Sequence, residues 1–345
     1  MKSGSGWKNS EKMKTVGLLL VVFTLILGVA AGYVWMQYRS FLDTPLDIPA
    51  GGQIFELDSG ATGAAIVRQL ADMGLTRPGW EWRLLMRLEP HLYRAGEYRL
   101  ERGWGPQKVL NKLSSGAVVQ YRFTLVEGWT YKQLLAALAE EDILEHELES
   151  DLDGVWSMLG EAPGSNYPEG WFLPETYQFT RGDSDRDLLV RAHQAMQQAL
   201  ADAWESRDLG LPLETPYELL ILASIIEKET SLDEERAQIA GVFVRRLNKR
   251  MRLQTDPTVI YGMGDSFDGD IRRRDLKTDT PYNTYTRHGL PPTPIAMPGR
   301  ASLMAAARPA AGDTLYFVAN GKGGHTFSVT LEEHQAAVNK LTGKD

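Results

Sequence analysis

Between Thr15 and Met36 the chain carries no charged side chain, and most of these twenty-two residues are Leu, Val, Ile, Gly or Ala. Such a segment has few ways to fold. As a helix it reaches about 33 Å, enough to cross the hydrocarbon core of a bilayer. Lys2, Lys8, Lys12 and Lys14 precede it, and only Arg39 stands close behind it. The positive-inside rule then keeps the N-terminus in the cytoplasm and puts the body outside. Tyr33, Trp35 and Tyr38 fall where an outer aromatic belt forms. Ala30-Ala31-Gly32 also offers a signal-peptidase site, but the run is long for a cleaved signal, and a retained anchor is expected.

The four lysines against Glu11 give the first fourteen residues about +3, so of the formal −8 about −11 falls on the rest. A body that acidic is a poor partner for a polyphosphate, and no nucleic acid is expected. The absence of cysteine excludes a disulfide framework and thiolate chemistry. Nine Trp, thirteen Tyr and ten Phe call for a sizeable core. His325 and His334 match no common zinc spacing, and Asp265, Asp268 and Asp270 fail the EF-hand spacing. Neither a metal nor a cofactor is expected.

The fold class expected is α+β. A cytoplasmic stub covers 1–14 and the membrane helix 15–36. Residues 37–50, with Pro45, Pro49, Gly51 and Gly52, read as an extended spacer. A small α+β unit follows over 51–118. It has strands at 53–57 and 96–100, helices at 62–73, 77–88 and 106–113, and a strand at 118–126 crossing its boundary. The larger part, 119–345, is mostly helical with short strands. Its predicted helices lie at 131–139, 185–205, 216–230, 232–249 and 331–341. Strands at 315–319 and 326–329 flank the glycine-rich turn Asn320–Gly324.

The most informative of these helices starts at Thr215, which forms a capping box with Glu218 and is followed by Pro216 at the first helical position. Leu219 to Ile226 is apolar around the whole circumference except at Ser224, the pattern of a helix buried on all sides. The helix ends in Glu227-Lys228-Glu229, and a second capping box, Ser231 with Glu234, opens the next. Glu229 lies on the same face as Ile226, Ile225 and Leu222. Apolar surroundings and the negative end of the helix dipole both raise a carboxyl pKa there. A carboxyl protonated near neutral pH is what a general acid for glycoside cleavage requires. Glu227, facing Leu220, Ala223 and Ser224, is the second, supporting candidate. The same three residues read equally as a solvated helix terminus.

Several stretches resemble the YceG-like family, the endolytic murein transglycosylases of the MltG type. They are Leu-Val-Glu-Gly-Trp at 125–129, Glu-Gly-Trp-Phe-Leu-Pro-Glu at 169–175, and Ala-Ser-Ile-Ile-Glu-Lys-Glu-Thr at 223–230. Further along come Met251 to Gly264, Tyr282-Asn283-Thr284-Tyr285 with Gly289 to Pro292, and Asn320 to Phe327. They follow the family order over nearly the whole body. The resemblance places the catalytic glutamate on Glu229 and implies a LysM-like unit at 51–118. It further implies cleavage of the bond between N-acetylmuramic acid and N-acetylglucosamine. Glu229 protonates the linking oxygen and then takes the proton of the muramoyl C6 hydroxyl as a 1,6-anhydro ring closes. The substrate implied is nascent peptidoglycan at the inner membrane, with a penicillin-binding synthase as partner.

Gln254 and Asp256, after the basic helix end Arg245 to Arg252, are candidates for glycan contact; Asp256-Pro257 also reads as a turn. Tyr282, Asn283, Thr284 and Tyr285 offer hydroxyls, an amide and ring faces suited to a sugar. Lys322 and His325 flank glycines that admit close backbone approach, or simply turn a hairpin. Glu127, Glu169 and Glu175 are candidates to line the cleft, but read first as loop residues. Two other activities fit the same residues. One is a non-catalytic scaffold that binds peptidoglycan and recruits synthases. The other is a water-using muramidase, which needs a second carboxylate about 5 to 10 Å away.

Overall fold

The computed structural model describes residues 6–148 and 167–343. The first five residues of the expected stub lie outside this range. The chain divides into two compact units, up to Val119 and from Gln120 onward. Helices and short two-stranded antiparallel sheets make up both, a mixed α and β architecture.

Helix α1 runs Gly6–Asp43. Its stretch Met13–Asp43 is long and apolar enough to cross a membrane, and its large apolar side chains from Val16 to Met36 are exposed. The spacer expected over 37–50 does not begin as extended chain. Nothing between Gln37 and Asp43 breaks a helix, and the first proline is Pro45, so the helix continues to Asp43. Tyr38, Leu46 and Ile48 are buried in the core of the first unit, and Phe41 meets Trp82 edge to face at 5.2 Å.

That unit is built on β1 (Gln53–Leu57) paired with β2 (Gly96–Leu100), in register from Gln53 against Leu100 to Leu57 against Gly96. Two helices lie between the strands in sequence, α2 (Gly63–Asp72) and α3 (Trp80–Leu88), and α4 (Pro106–Ser115) follows. Thr62 caps α2 through the N–H of Ala65. Gly116, at φ +71°, closes α4 in the left-handed region.

In the second unit β3 (Tyr121–Thr124) pairs with β4 (Thr176–Phe179) and packs with α5 (Tyr131–Ala139) and α6 (Asp185–Glu205). The predicted strand over 118–126 shortens to these four residues, and β4 was not anticipated. Helix α7 (Pro216–Glu229) is the core element, surrounded by α6, α8 (Asp233–Asn248), α9 (Asp256–Met263) and α10 (Arg300–Ala307). Leu219 to Ile226 are all buried, as the unbroken apolar circumference demands. Ser224, the polar exception, donates to the Ile221 carbonyl at 2.7 Å and accepts from the Ile295 N–H at 3.0 Å. Its hydroxyl is thereby satisfied in the core. The hairpin of β5 (Tyr316–Ala319) and β6 (His325–Ser328) packs with α11 (Leu331–Thr342).

Three local expectations change. Asp256-Pro257 opens α9 instead of turning a loop, because proline at the first turn of a helix loses no hydrogen bond. Helix α10 was not foreseen. The second capping box does not form. Thr230 is already extended (φ −148°, ψ 141°), and its hydroxyl, not that of Ser231, accepts the Leu232 N–H at 3.1 Å. In the first box Thr215 caps the Glu218 N–H, while the Glu218 carboxylate turns to the N–H of Glu214.

Candidate active site

Glu229 is the last residue of α7, and the chain leaves the helix at Thr230. The helix is buried as far as Ile226, and Glu229 itself keeps partial exposure. Thr255, just before α9, donates its hydroxyl to Glu229 Oε1. A small network holds Thr255 in place. Its N–H donates to Thr284 Oγ1 at 3.1 Å, and Thr258 Oγ1 bonds the Thr255 carbonyl at 2.8 Å and lies 2.9 Å from Thr284 Oγ1. Gln254 adopts φ +52°, and its N–H reaches the Thr284 carbonyl at 3.2 Å. That left-handed conformation turns the chain from α8 toward α9 at some strain, since the residue has a Cβ.

Burial is the largest influence on the Glu229 carboxyl and favours its neutral form. The hydrogen bond from Thr255 opposes it. Asp256, at the start of α9, adds to it, and the charges of His325 and Arg246 oppose it. The net result pushes the pKa from 4.5 up to about 7. Tyr285 completes this side: its hydroxyl donates to Asp256 Oδ1 at 2.6 Å. Arg246 is buried and spends its guanidinium on the carbonyls of Leu315 (2.6 Å) and Leu253 (2.8 Å).

Glu229 lies on a cleft of about 420 Å³, lined also by Glu127, Gly128, Glu227, Lys228, Thr230, Ser231 and Arg236. Glu227 is committed to structure. Its Oε2 accepts the Gly299 N–H at 2.9 Å, and its Oε1 lies 4.0 Å from the buried Arg236. Arg236 stands equally far from Glu127 and also binds Asp233. Burial and the neighbouring Glu227 raise the Glu127 pKa, and Arg236 lowers it. Lys228 donates to the Gly128 carbonyl at 3.1 Å, tying α7 to the loop before α5.

Of the other sequence candidates, Asp256 and His325 act on Glu229 through their charges, while Thr284 bonds Thr255 and Tyr285 bonds Asp256 beside it. Asn283 is buried and donates its amide to the carbonyls of Asp275, Leu276 and Thr278, so it shapes the loop that presents Thr284. Tyr282 packs on Tyr261 with ring centroids 4.9 Å apart and bonds Thr293. Lys322 is exposed, and its N–H closes the hairpin turn on Asn320. Glu175 pairs with Arg300 near the surface. Glu169, read from the sequence as a loop residue, is 1% exposed. It accepts from the Tyr131 N–H and the Tyr261 hydroxyl, both at 2.9 Å. Burial raises its pKa to about 7 against these bonds. It anchors the start of α5 to α9.

Sequence reasoning did not single out Thr255, Arg236 or Glu235, and read Arg246 only as part of a basic helix end. Thr255 lay within the quoted stretch Met251 to Gly264, but a threonine carries no distinctive chemistry until a carboxylate is placed beside it. Among the described residues no group of three or more His, Asp or Glu is arranged to hold a metal ion.

The profile of the YceG-like family matches residues 55–340. An endolytic murein transglycosylase of Bacillus subtilis (strain 168) is 34% identical over 264 residues, covering 72% of this chain and 73% of that protein. One from Streptococcus pneumoniae serotype 2 is 26% identical over 359 residues, covering 93% of this chain. The chain spans 64% of the length of that pneumococcal relative. The crystal structure of a yceG-like protein of Listeria monocytogenes is similar with a TM-score of 0.52 and 29% identity. The match covers 83% of this chain and 99% of that one.

Proposed function

The chain belongs to the YceG-like family, and from that membership we propose that it is a lytic transglycosylase of peptidoglycan with Glu229 as its acid catalyst. One observation carries the assignment of Glu229. Burial pushes the pKa of its carboxyl up to about 7, yet the residue is partly exposed and lines a cleft. A general acid needs both properties: the proton at working pH and access to the leaving oxygen.

In the reaction Glu229 donates its proton to the oxygen joining N-acetylmuramic acid to N-acetylglucosamine, and the bond from C1 to that oxygen breaks. The carboxylate left behind stabilises the oxocarbenium-like sugar. The muramoyl C6 oxygen then attacks C1 and closes a 1,6-anhydro ring, while its proton passes to the Glu229 carboxylate and restores the acid. The nucleophile is already part of the reacting sugar, so proximity lowers the barrier. No water is consumed.

The anchor fits a single-pass protein with its N-terminus in the cytoplasm and its body outside the inner membrane, cutting nascent strands near a synthase. The unit over 51–118 is read as LysM-like, orienting or holding glycan; its β-α-α-β order around one strand pair supports that reading.

Mass spectrometry of sacculi digested with the full-length protein tests the proposal. It expects strands ending in 1,6-anhydro-N-acetylmuramic acid, and none with Glu229→Gln. Reducing ends instead point to a water-using muramidase. Binding without new chain ends points to the scaffold. A folded Glu229→Gln variant with undiminished activity refutes the assignment.

A further inference from the structure

The carboxylates near the C-terminal end of α7 mostly have their hydrogen bonds made within the fold. Glu227 accepts the Gly299 N–H, Asp256 the Tyr285 hydroxyl, and Glu229 the Thr255 hydroxyl. Glu235, on α8, accepts the His325 N–H at 2.8 Å and lies 2.6 Å from Nδ1 of its ring. Glu127 differs. Among the described residues none donates a hydrogen bond to its carboxylate, and Arg236 faces it only at 4.0 Å. Its side chain is 49% exposed, and it lines the same cleft as Glu229.

The fold fixes where this carboxylate stands. Glu127 precedes Gly128, whose φ of +77° calls for glycine. The Gly128 N–H donates to the Met297 carbonyl at 2.9 Å, and the Met297 N–H to the Trp129 carbonyl at 2.7 Å. The loop between β3 and α5 is thereby pinned to the segment that leads into α10. A Cβ on Gly299 would overlap Glu127 Oε1, so the carboxylate rests directly against that glycine. From α7 comes Lys228, the residue before Glu229, exposed and lining the same cleft. It gives one N–H to the Gly128 carbonyl at 3.1 Å. An ammonium has three donors, so two remain for a ligand.

Beside the acid, then, two different elements offer one charged acceptor and one charged donor. A sugar hydroxyl both donates and accepts, and satisfies either group alone. A secondary amide is planar, with one N–H and one C=O pointing opposite ways, and so engages one of each. We propose that Glu127 and Lys228 read a secondary amide of the glycan substrate, Glu127 accepting its N–H and Lys228 donating to its carbonyl, which places the linking oxygen at Glu229. This rests on the lytic reading of the cleft. Arg236 is a positioning group: buried between Glu127 and Glu227, it opposes the burial and the Glu227 charge that work against a Glu127 anion. Peptidoglycan supplies such an amide from two sources, the 2-acetamido group of each sugar and the link from the lactyl group to the stem peptide.

Kinetics and binding on soluble, uncross-linked strands with the full-length protein in detergent test this. On intact strands Glu127→Gln should lower kcat/KM for 1,6-anhydro end formation about 10 to 100-fold, mostly through KM, with an unchanged melting temperature. Gly299→Ala, which keeps the charge but displaces the carboxylate, should repeat the loss, and Lys228→Met should show a similar one. To identify the amide, strand affinity is measured in the Glu229→Gln background, with and without Glu127→Gln. If the acetamido group is read, the Glu127→Gln deficit survives on strands freed of stem peptide and vanishes on N-deacetylated strands. The reverse pattern assigns the stem amide. A deficit of equal size on all three substrates overturns the proposal. So does a folded Glu127→Gln variant with wild-type kcat/KM, and a folded Lys228→Met variant with wild-type kcat/KM removes the donor. If Glu229→Gln is inactive while Glu127→Gln matches the wild type, only the amide reading fails. If the wild type forms no 1,6-anhydro ends, the lytic reading itself fails.

Discussion

Replacing Glu229 by glutamine should abolish activity and stabilise the second unit, by an amount that depends on pH. The folded chain holds this carboxyl at a pKa of about 7 against an ordinary 4.5. Between those values the folded state binds more protons than the unfolded one, so stability falls as pH rises through that window. Above pH 7 the whole cost is in place. An interval of about 2.5 at roughly 1.4 kcal/mol per unit gives about 3 kcal/mol. Glutamine is uncharged, nearly isosteric, and keeps an oxygen to accept the Thr255 hydroxyl, so it escapes that cost. At pH 8 the variant should be about 3 kcal/mol more stable than the wild type, a rise in Tm of about 6 to 12 °C for a unit of this size. Near pH 4.5 the gain should shrink to a fraction of that. Differential scanning calorimetry of both proteins in detergent at the two pH values measures it. A Tm difference that is the same at pH 4.5 and pH 8 refutes the claim that Glu229 is held protonated by burial.

Thr255→Val removes the hydroxyl that favours the ionised form, so the alkaline limb of activity should move up by about one pH unit; a pH–rate profile on sacculi reads it. Glu227→Ala leaves the buried Arg236 short of a counter-charge and the Gly299 N–H without its acceptor, and should cost about 3 kcal/mol in urea unfolding. Glu227→Gln, which retains an acceptor for Gly299, should cost less.

Much of the scaffold was legible because its signals are local. The starts of α5, α6 and α11 are each marked by a Ser or Thr whose partner lies three residues on, and the structure forms a full capping box at each. Helix α7 announced its burial through an apolar circumference with no solvent face. Strand β4 and helices α9 and α10 were less visible. Thr176–Phe179 is too short for alternation to register, Asp256-Pro257 fits a turn as well as a helix start, and Arg300–Ala307 is small and weakly patterned. The continuation of α1 into the first unit turned on Tyr38, which reads as a membrane-belt residue in sequence and is a core residue in the fold.

The sequence by itself determined that a glutamate ends a buried helix, because periodicity and capping act over three or four residues along one chain. Only the tertiary structure decided what surrounds that glutamate. Thr255, Asp256, Arg246 and His325 reach it from α8, α9 and a distant hairpin, and Glu235 meets His325 across 90 residues of sequence. Proton affinity depends on desolvation and charge summed over whatever atoms lie within a few ångströms, and sequence distance does not enter that sum.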